Sequence, residues 1–406
     1  MSMQWEVRGR RARSLRGVEA LSTEVEAWLG QRRAADPAQR HHSQLDALSA
    51  LLTGAASALA QKADGLPDQG ERGAVFRACA ELDQRTDWLR RVFVSYAERF
   101  DQRDDPLLGP VLAAADEVVW SCYRPVYGAE PNLAQRPAPL PFFEPEHAPR
   151  ALPSDLVPRD LQRGGGELLQ KYLEMLPIPL IGLPRAAVAE PWWLIFAAHE
   201  VGHHVQYALG KDRGMVGAFA KALKGKVTDD GDAAADWFDW GKEVFADLFS
   251  VASVGPWAVW ALVELELTEP GAMGMPRGSV YPPAAVRLAL CQAAWQALSG
   301  GDDDPGDPGD PLRAIDPAAL ARLPRVKADL GRAATIAQAV TERLPDGHES
   351  FEELAGFEPE TFDDEHAKAA MALDGLIATT DMRFLWAPRR LIAASTAAWA
   401  KLAAEA

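Results

Sequence analysis

Apolar side chains recur at helical spacing along most of the chain, and this pattern predicts a mostly α-helical protein. In residues 74–100, Val75, Cys79, Leu82 and Leu89 follow the 3.6-residue period of an α-helix. The same signal predicts further helices at 107–123, 166–176, 191–209, 233–254, 258–268, 284–299, 316–343, 366–379 and 387–404. The helices of the N-terminal third are therefore expected to form a bundle.

Prolines interrupt this pattern at two places. They recur through residues 125–163, where they predict a mostly extended connection. In the segment PIPLIGLP, residues 177–184, Leu180 and Ile181 stand between prolines, which favours an edge strand or an extended segment over a central strand. An edge strand here would pair with the backbone of a bound peptide, and a plain connector is the alternative.

The composition argues against several classes of protein. The 406 residues are 48% hydrophobic and carry a net charge of −16 without a basic stripe, so we expect no nucleic-acid partner. The uncharged run at 248–263 is shorter than the roughly 20 residues of a membrane-spanning helix, and Gly255 and Pro256 interrupt it, which predicts two buried helices. Three scattered cysteines and no apolar signal segment favour a reducing compartment, so the expected localisation is cytoplasmic.

The stretch WWLIFAAHEVGHHVQYAL, residues 192–209, places charged and polar side chains inside an apolar predicted helix. His199 and His203 are one helical turn apart on the same face, so both imidazoles can bind one zinc ion. Glu200 lies beside them and can accept a proton from a metal-activated water. Burial of two histidines and a glutamate is costly unless they are paired or bind a metal. The pattern therefore predicts a metal site with hydrolytic chemistry.

A third metal ligand is expected from the stretch KEVFADLF. Glu243 and Asp247 are four residues apart, hence on one helical face, and their neighbours are apolar. Glu243 can complete the set of zinc ligands, and Asp247 can accept a hydrogen bond from the second ring nitrogen of His199. Asp247 itself, Asp239 and Glu264 are the alternatives for the third ligand.

The motif HEVGH followed by EVFAD resembles the HExxH…ExxxD pattern of the gluzincin metallopeptidases. In addition, YPPAAVR at residues 281–287 resembles the HPPxxxR segment of the CAAX prenyl protease and heat-shock membrane protease family, with a tyrosine in place of the histidine. The resemblance covers roughly residues 177–290 and implies a mostly helical zincin domain with zinc-dependent endopeptidase activity. The residues to which it assigns roles are the zinc ligands His199, His203 and Glu243 and the base Glu200.

Two residues of the YPPAAVR segment have candidate roles of their own. Tyr281 can donate a hydrogen bond to a developing oxyanion, or pack as an ordinary residue before the following helix. Arg287 can order the site through a carboxylate, or be an ordinary surface arginine. Both roles are open at the level of the sequence.

The expected fold is mostly α, with a zincin-like metallopeptidase core, a small strand element and flanking helical bundle regions. The expected parts are a helical N-terminal region (1–124), a proline-rich connection (125–165), the zincin catalytic core (166–298), an acidic disordered loop (299–312) and a helical C-terminal region packed on the core (313–406).

The function expected from the sequence is a zinc-dependent peptidase that hydrolyses a protein or peptide substrate through a metal-activated water, with Glu200 as general base. Zn²⁺ is the expected cofactor. Two alternatives stay open. One is a catalytically silent zincin-fold interaction or regulatory protein, which would have a regulatory protein partner. The other is a zinc hydrolase of a non-peptide substrate.

Overall fold

The structure is a computed structural model, and it describes most of the chain up to residue 357. The described residues are 2–35, 40–67, 71–133, 136–146, 148–153, 157–173, 176–210, 214–266, 273–274, 280–300 and 323–357. Among them the fold is mostly helical with one small sheet, which confirms the mostly α expectation. The helices predicted at 366–379 and 387–404, and residues 301–312 of the predicted acidic loop, lie outside the described residues.

The helices and strands are numbered here in chain order. The α-helices are α1 (Ser2–Ala35), α2 (His42–Asp64), α3 (Arg72–Asp101), α4 (Leu108–Ala129), α5 (Glu167–Tyr172), α6 (Phe196–Ala208), α7 (Gly214–Lys226), α8 (Gly231–Asp239), α9 (Gly241–Val254), α10 (Pro256–Glu266), α11 (Ala284–Ser299), α12 (Pro324–Ala337) and α13 (Phe351–Ala355). The strands are β1 (Leu140–Glu144), β2 (Arg150–Leu152) and β3 (Leu180–Pro184).

The chain forms two compact units. Among the described residues, the first comprises those up to Gln102, from Arg136 to Leu140 and from Leu152 to Leu180, and the second comprises those from Arg103 to Leu133, from Pro141 to Ala151 and from Ile181 to Phe357. These boundaries differ from the expected five parts, because segments that are distant in sequence join the same unit.

The first unit is a helical bundle in which α1, α2 and α3 pack against one another. The buried face of α3 follows the predicted apolar stripe that begins at Val75. Two aromatic side chains of α3 hold later segments of the same unit. The indole of Trp88 donates a hydrogen bond to the carbonyl of Leu161 at 2.6 Å, and the hydroxyl of Tyr96 donates one to the carbonyl of Ile178 at 3.2 Å.

Helix α4 belongs to the second unit and continues through Pro125 to Ala129. It therefore departs from the predicted N-terminal region, 1–124, and from the extended connection that was expected to begin at residue 125. A proline inside a helix costs about 3 kcal/mol. Tyr123 and Val126 are buried on either side of the proline, and burial of side chains of this size, roughly 1.5–3 kcal/mol each, offsets that cost.

The strands form one sheet in the order β1–β3–β2, so β3 is the central strand. The prediction of an edge strand at 177–184 is wrong, because the prolines flank the hydrogen-bonded part of the strand. Pro179 precedes β3, and its carbonyl accepts a hydrogen bond from the Leu140 N–H at 2.9 Å, while Pro184 ends the strand. Both edges of β3 are occupied, so this segment does not offer the free edge that pairing with a bound peptide requires.

Helix α9 lies at the centre of the second unit, where it packs against α6, α7, α10, α11 and α13. Its residues from Glu243 to Val254 are all buried. The sequence predicts one helix over 233–254, whereas α8 and α9 are separated by a turn at Trp240. Gly241 begins α9 in close contact with α7, since a Cβ atom there would lie 2.9 Å from the Cα of Ala220. This contact fixes the direction in which α9 enters the core.

For the apolar run at residues 248–263, the sequence predicts two buried helices and no membrane-spanning helix. The run forms two buried helices, α9 and α10, separated at Gly255, whose φ is 62°. Among the described residues, no helix is both long and apolar enough to cross a membrane. The three cysteines lie within the described residues, and none of them forms a disulfide.

Candidate metal centre

Helix α6 carries the histidines of the HEVGH motif. The chain enters it through a short 3₁₀ turn, Pro191–Ile195, so the α-helix begins at Phe196, later than the sequence predicts. His199, Glu200 and His203 are buried on this helix. The two imidazole rings meet edge to face, with centroids 4.7 Å apart and an interplanar angle of 88°. The helical spacing therefore brings both rings to one place.

Helix α9 brings a carboxylate to the same place. Glu243 Oε2 lies 3.4 Å from His199 Nε2 and 3.5 Å from His203 Nε2. One ligand atom from each of these three residues lies within 4.8 Å of the others, an arrangement that can hold a metal ion. The structure thus gathers the three expected metal ligands around a common point.

Both carboxylate–imidazole distances are longer than ordinary hydrogen bonds and are compatible with two ligands of one metal ion. Zinc in a tetrahedral site has nitrogen and oxygen ligands at about 2.0–2.2 Å, which sets neighbouring ligand atoms about 3.3–3.5 Å apart. Glu243 Oε2 is buried and makes no hydrogen bond within the part of the chain that the structure describes. A buried carboxylate oxygen without a hydrogen bond is costly unless a cation lies against it. The donor set, two imidazoles and one carboxylate, is one that zinc accepts.

The charge balance of the cluster also favours a cation. Its buried acidic side chains are Glu200, Glu243, Asp247 and Glu266, and its buried basic side chains are Arg287 and His199, whose pKa its carboxylate neighbours raise. The negative charge therefore exceeds the positive charge in a region that water does not screen. A divalent cation between the imidazoles, in exchange for the proton of His199, would lower this excess.

A glycine allows the two helices to approach closely enough for the ligands to meet. Gly202 lies between the two histidines on α6, facing α9. A Cβ atom on it would lie 2.9 Å from the Cα of Ala246 and 3.1 Å from the Cβ of Phe249. Because carbon atoms pack at about 3.5–4.0 Å, any larger residue would force the helices apart. The glycine of HEVGH therefore has a packing role that is distinct from the chemistry of its neighbours.

Asp247 holds His199 in place, as the sequence predicts. The His199 Nδ1–H donates a hydrogen bond to Asp247 Oδ1 at 2.9 Å, which leaves Nε2 to face Glu243. Arg287 is buried and donates to both carboxylate oxygens of Asp247, at 2.8 and 2.7 Å, and to Glu266 Oε1 at 3.0 Å. Arg287 is therefore not a surface arginine but part of a buried chain of ion pairs behind the histidine.

These contacts shift the pKa values of His199, Glu243 and Asp247. Burial alone would lower the pKa of His199, but the carboxylates of Asp247 and Glu243 outweigh it and raise the pKa to about 10. Burial would raise the pKa of Glu243, but the two imidazoles hold it far below its usual range. Asp247 behaves similarly: Arg287 and His199 outweigh its burial and lower its pKa. The carboxylates are therefore ionised at neutral pH.

Tyr281 and Lys242 lie beside the cluster and are partly exposed. The guanidinium carbon of Arg287 is 5.9 Å from the centroid of the Tyr281 ring. Tyr281 itself is 37% exposed. Burial and the nearby carboxylates of Glu243 and Glu200 raise the pKa of the Tyr281 phenol. Lys242 Nζ is 3.9 Å from Glu243 Oε1, the oxygen that does not face the histidines. Lys242 is a residue that the sequence reasoning missed.

The remaining candidates for the third ligand, unlike the residues of the cluster, are not buried. Asp239 and Glu264 are both exposed. Glu266, two residues after Glu264, is the buried acid of α10 and contacts Arg287. Residues two apart on a helix face different sides. The position of Glu266 in the helical period therefore distinguishes it from Glu264.

Comparisons of this chain with protein-family models, with curated proteins and with solved structures found no match.

Proposed function

We propose that this chain is a zinc-dependent peptidase with a zincin-like catalytic core in its second unit. The observation that carries the proposal is the convergence on one point of His199 Nε2, His203 Nε2 and the buried Glu243 Oε2, which makes no hydrogen bond among the described residues. Three protein ligands leave one coordination position for substrate or water, which is typical of catalytic zinc sites, whereas structural sites use four protein ligands. When bound, zinc supplies a Lewis acid that polarises a carbonyl group and increases the acidity of water.

The proposed general base is Glu200. It follows a metal ligand directly in sequence and is buried beside the cluster, but its carboxylate is not one of the converging ligand atoms. In the proposed reaction, this carboxylate accepts a proton from the attacking water and then donates it to the amine nitrogen of the departing peptide. The buried position keeps bulk water from competing for that proton.

The proposed stabiliser of the developing oxyanion is Tyr281. Its raised pKa keeps the phenol protonated at neutral pH, so it can donate a hydrogen bond. The ammonium group of Lys242, close to Glu243, adds positive charge on the same side of the cluster. Arg287 contributes indirectly, because it fixes Asp247 and through it the ring of His199.

A comparison of wild type with Glu200→Gln tests the proposal. Both proteins would be loaded with zinc, analysed for metal content and incubated with a peptide library, and cleavage would be followed by mass spectrometry. We expect both to retain zinc at unit stoichiometry and the variant to lose about 10²–10⁴-fold in cleavage rate, because the general base is gone. Glu264→Gln is the matched control, since Glu264 is an exposed glutamate of α10 and should leave cleavage unchanged.

Two outcomes would contradict the peptidase. Zinc retained by the wild type, with no peptide cleaved by either protein, would favour a silent interaction or regulatory protein. Zinc-dependent hydrolysis of small esters without cleavage of any peptide would favour a hydrolase of a non-peptide substrate.

A further inference from the structure

The two proposed metal-binding imidazoles differ in what holds their second ring nitrogen. His199 Nδ1 donates to Asp247, which Arg287 fixes in turn. His203 Nδ1 is also buried, but it has no hydrogen-bond partner among the described residues. A neutral imidazole whose Nε2 faces a cation carries its proton on Nδ1, so this nitrogen becomes a buried donor when the metal binds. His203 therefore needs an acceptor that differs from that of His199.

Gln206 lies three residues after His203 on the same face of α6, the spacing at which side chains of a helix are neighbours. Its side chain is fully buried, with 0% exposure. Neither its amide oxygen nor its amide nitrogen has a hydrogen-bond partner in the part of the chain that the structure covers. Complete burial of an unpaired amide is rare, because the amide loses its hydrogen bonds to water and gains none within the protein. An unsatisfied donor and an unsatisfied acceptor thus lie one helical turn apart.

We propose that Gln206 is the positioning residue of His203, an inference that rests on the proposed zinc site. In the zinc-loaded protein, Gln206 Oε1 accepts a hydrogen bond from the His203 Nδ1–H. This bond satisfies His203 Nδ1 and Gln206 Oε1, fixes the tautomer and directs Nε2 of His203 toward the metal. Gln206 has three side-chain torsions with which to bring its oxygen to the ring.

The charge of the cluster explains why the acceptor for the second histidine is an amide. The carboxylates of Glu200, Glu243, Asp247 and Glu266 already exceed the positive charge of the protein groups around them. A further buried carboxylate at position 206 would add a negative charge with no Arg287 beside it. A neutral amide oxygen orients the imidazole without this cost.

The test is the zinc affinity of Gln206→Met, measured by competition with a chromophoric chelator. Methionine has nearly the same length and removes both amide atoms. We expect zinc to bind about 10- to 100-fold more weakly, the usual effect of losing the group that orients a metal-binding histidine. The stability of the metal-free protein should not fall, because the amide is unpaired in that state. A purely structural role of Gln206 would predict the reverse, lower stability with unchanged zinc affinity.

Ser253→Ala is the matched control. Ser253 is fully buried on α9, and its hydroxyl also lacks a hydrogen-bond partner among the described residues, but it has no metal-binding histidine on the neighbouring turn. The control should bind zinc as the wild type does.

Nuclear magnetic resonance of the wild type gives a second, independent measurement. In the zinc-loaded protein, the Nδ1–H proton of His203 should be protected from exchange and show an Overhauser contact with the side chain of Gln206. Wild-type zinc affinity in Gln206→Met, or a loaded wild type without that contact, would overturn the role of Gln206 alone. Failure of the wild type itself to bind zinc would overturn the proposed function as well.

Discussion

Replacement of Gly202 by alanine tests whether the close contact of α6 and α9 assembles the proposed metal centre. The added Cβ would lie 2.9 Å from the Cα of Ala246, whereas carbon atoms pack at about 3.5–4.0 Å, so the helices must separate locally by roughly 0.6 Å or more. Overpacking of this kind costs about 1–3 kcal/mol, and alanine regains about 0.5–1 kcal/mol of helix propensity. We therefore expect the free energy of unfolding to fall by about 1 kcal/mol, and by no more than about 2.5 kcal/mol.

Zinc binding should weaken as well as the fold. Glu243 is on α9 and the two histidines are on α6, so a separation of the helices moves the carboxylate away from both rings. Metal–ligand distances are tolerated only within about 0.2 Å, and the expected separation is several times this value. A loss of zinc affinity of at least about tenfold, equivalent to about 1.4 kcal/mol, follows.

The assay combines zinc competition titration with thermal unfolding of the metal-free and zinc-loaded proteins. Gly217→Ala is the control, because Gly217 lies inside α7 and a Cβ atom there would meet nothing within 4 Å. The control should be as stable as the wild type or slightly more stable, with the same zinc affinity. Wild-type zinc affinity in Gly202→Ala would refute the idea that this contact sets the ligand geometry.

Three further predictions follow from the buried contacts and the backbone of the second unit. Asp247→Asn should destabilise the protein by about 3–5 kcal/mol in chemical denaturation, because the buried Arg287 loses a charged partner and keeps only Glu266; a loss below about 1 kcal/mol would contradict this. Because the pKa of His199 in the metal-free protein is about 10, zinc binding at pH 7 should release about one proton, and zinc affinity should rise as the pH rises toward 10. Calorimetric titration in buffers of different protonation enthalpy measures this release, and none at pH 7 would show that the histidine is already neutral. Gly255→Ala should cost about 1–3 kcal/mol, since φ 62° and ψ −142° are rarely adopted by other residues, and an unchanged melting temperature would argue against strain there.

The helical parts of the candidate site follow from local patterns in the sequence. The spacing of His199 and His203 places them on one face of α6, and the spacing of Glu243 and Asp247 does the same on α9. Both facts depend only on the period of the helix, so the sequence contains them. The packing of α6 against α9 is specified by no local pattern and is known only from the structure.

The features that the sequence did not reveal depend on contacts between distant segments. The central position of β3 depends on the order of the strands in the sheet, which a local pattern does not specify. Prolines at the ends of β3 do not prevent the residues between them from hydrogen bonding to the neighbouring strands. The continuation of α4 beyond Pro125 depends on burial of the side chains around the proline. Glu266 and Gln206 are acidic or polar residues in apolar helices, and only their burial distinguishes them from ordinary surface positions.

The burial of α9 from Glu243 to Val254 has a consequence for how the protein is handled. The helix that supplies Glu243 and Asp247 is also the helix around which the second unit packs, so a bound ion would be part of the folding core rather than an accessory to it. Ligands that bind only the native state add stability in proportion to the logarithm of their free concentration, about 2.7 kcal/mol at a hundred times the dissociation constant. Chelators in a purification buffer would then lower the free energy of unfolding of the whole second unit. The supply of metal during expression would likewise affect the fraction of the protein that is folded.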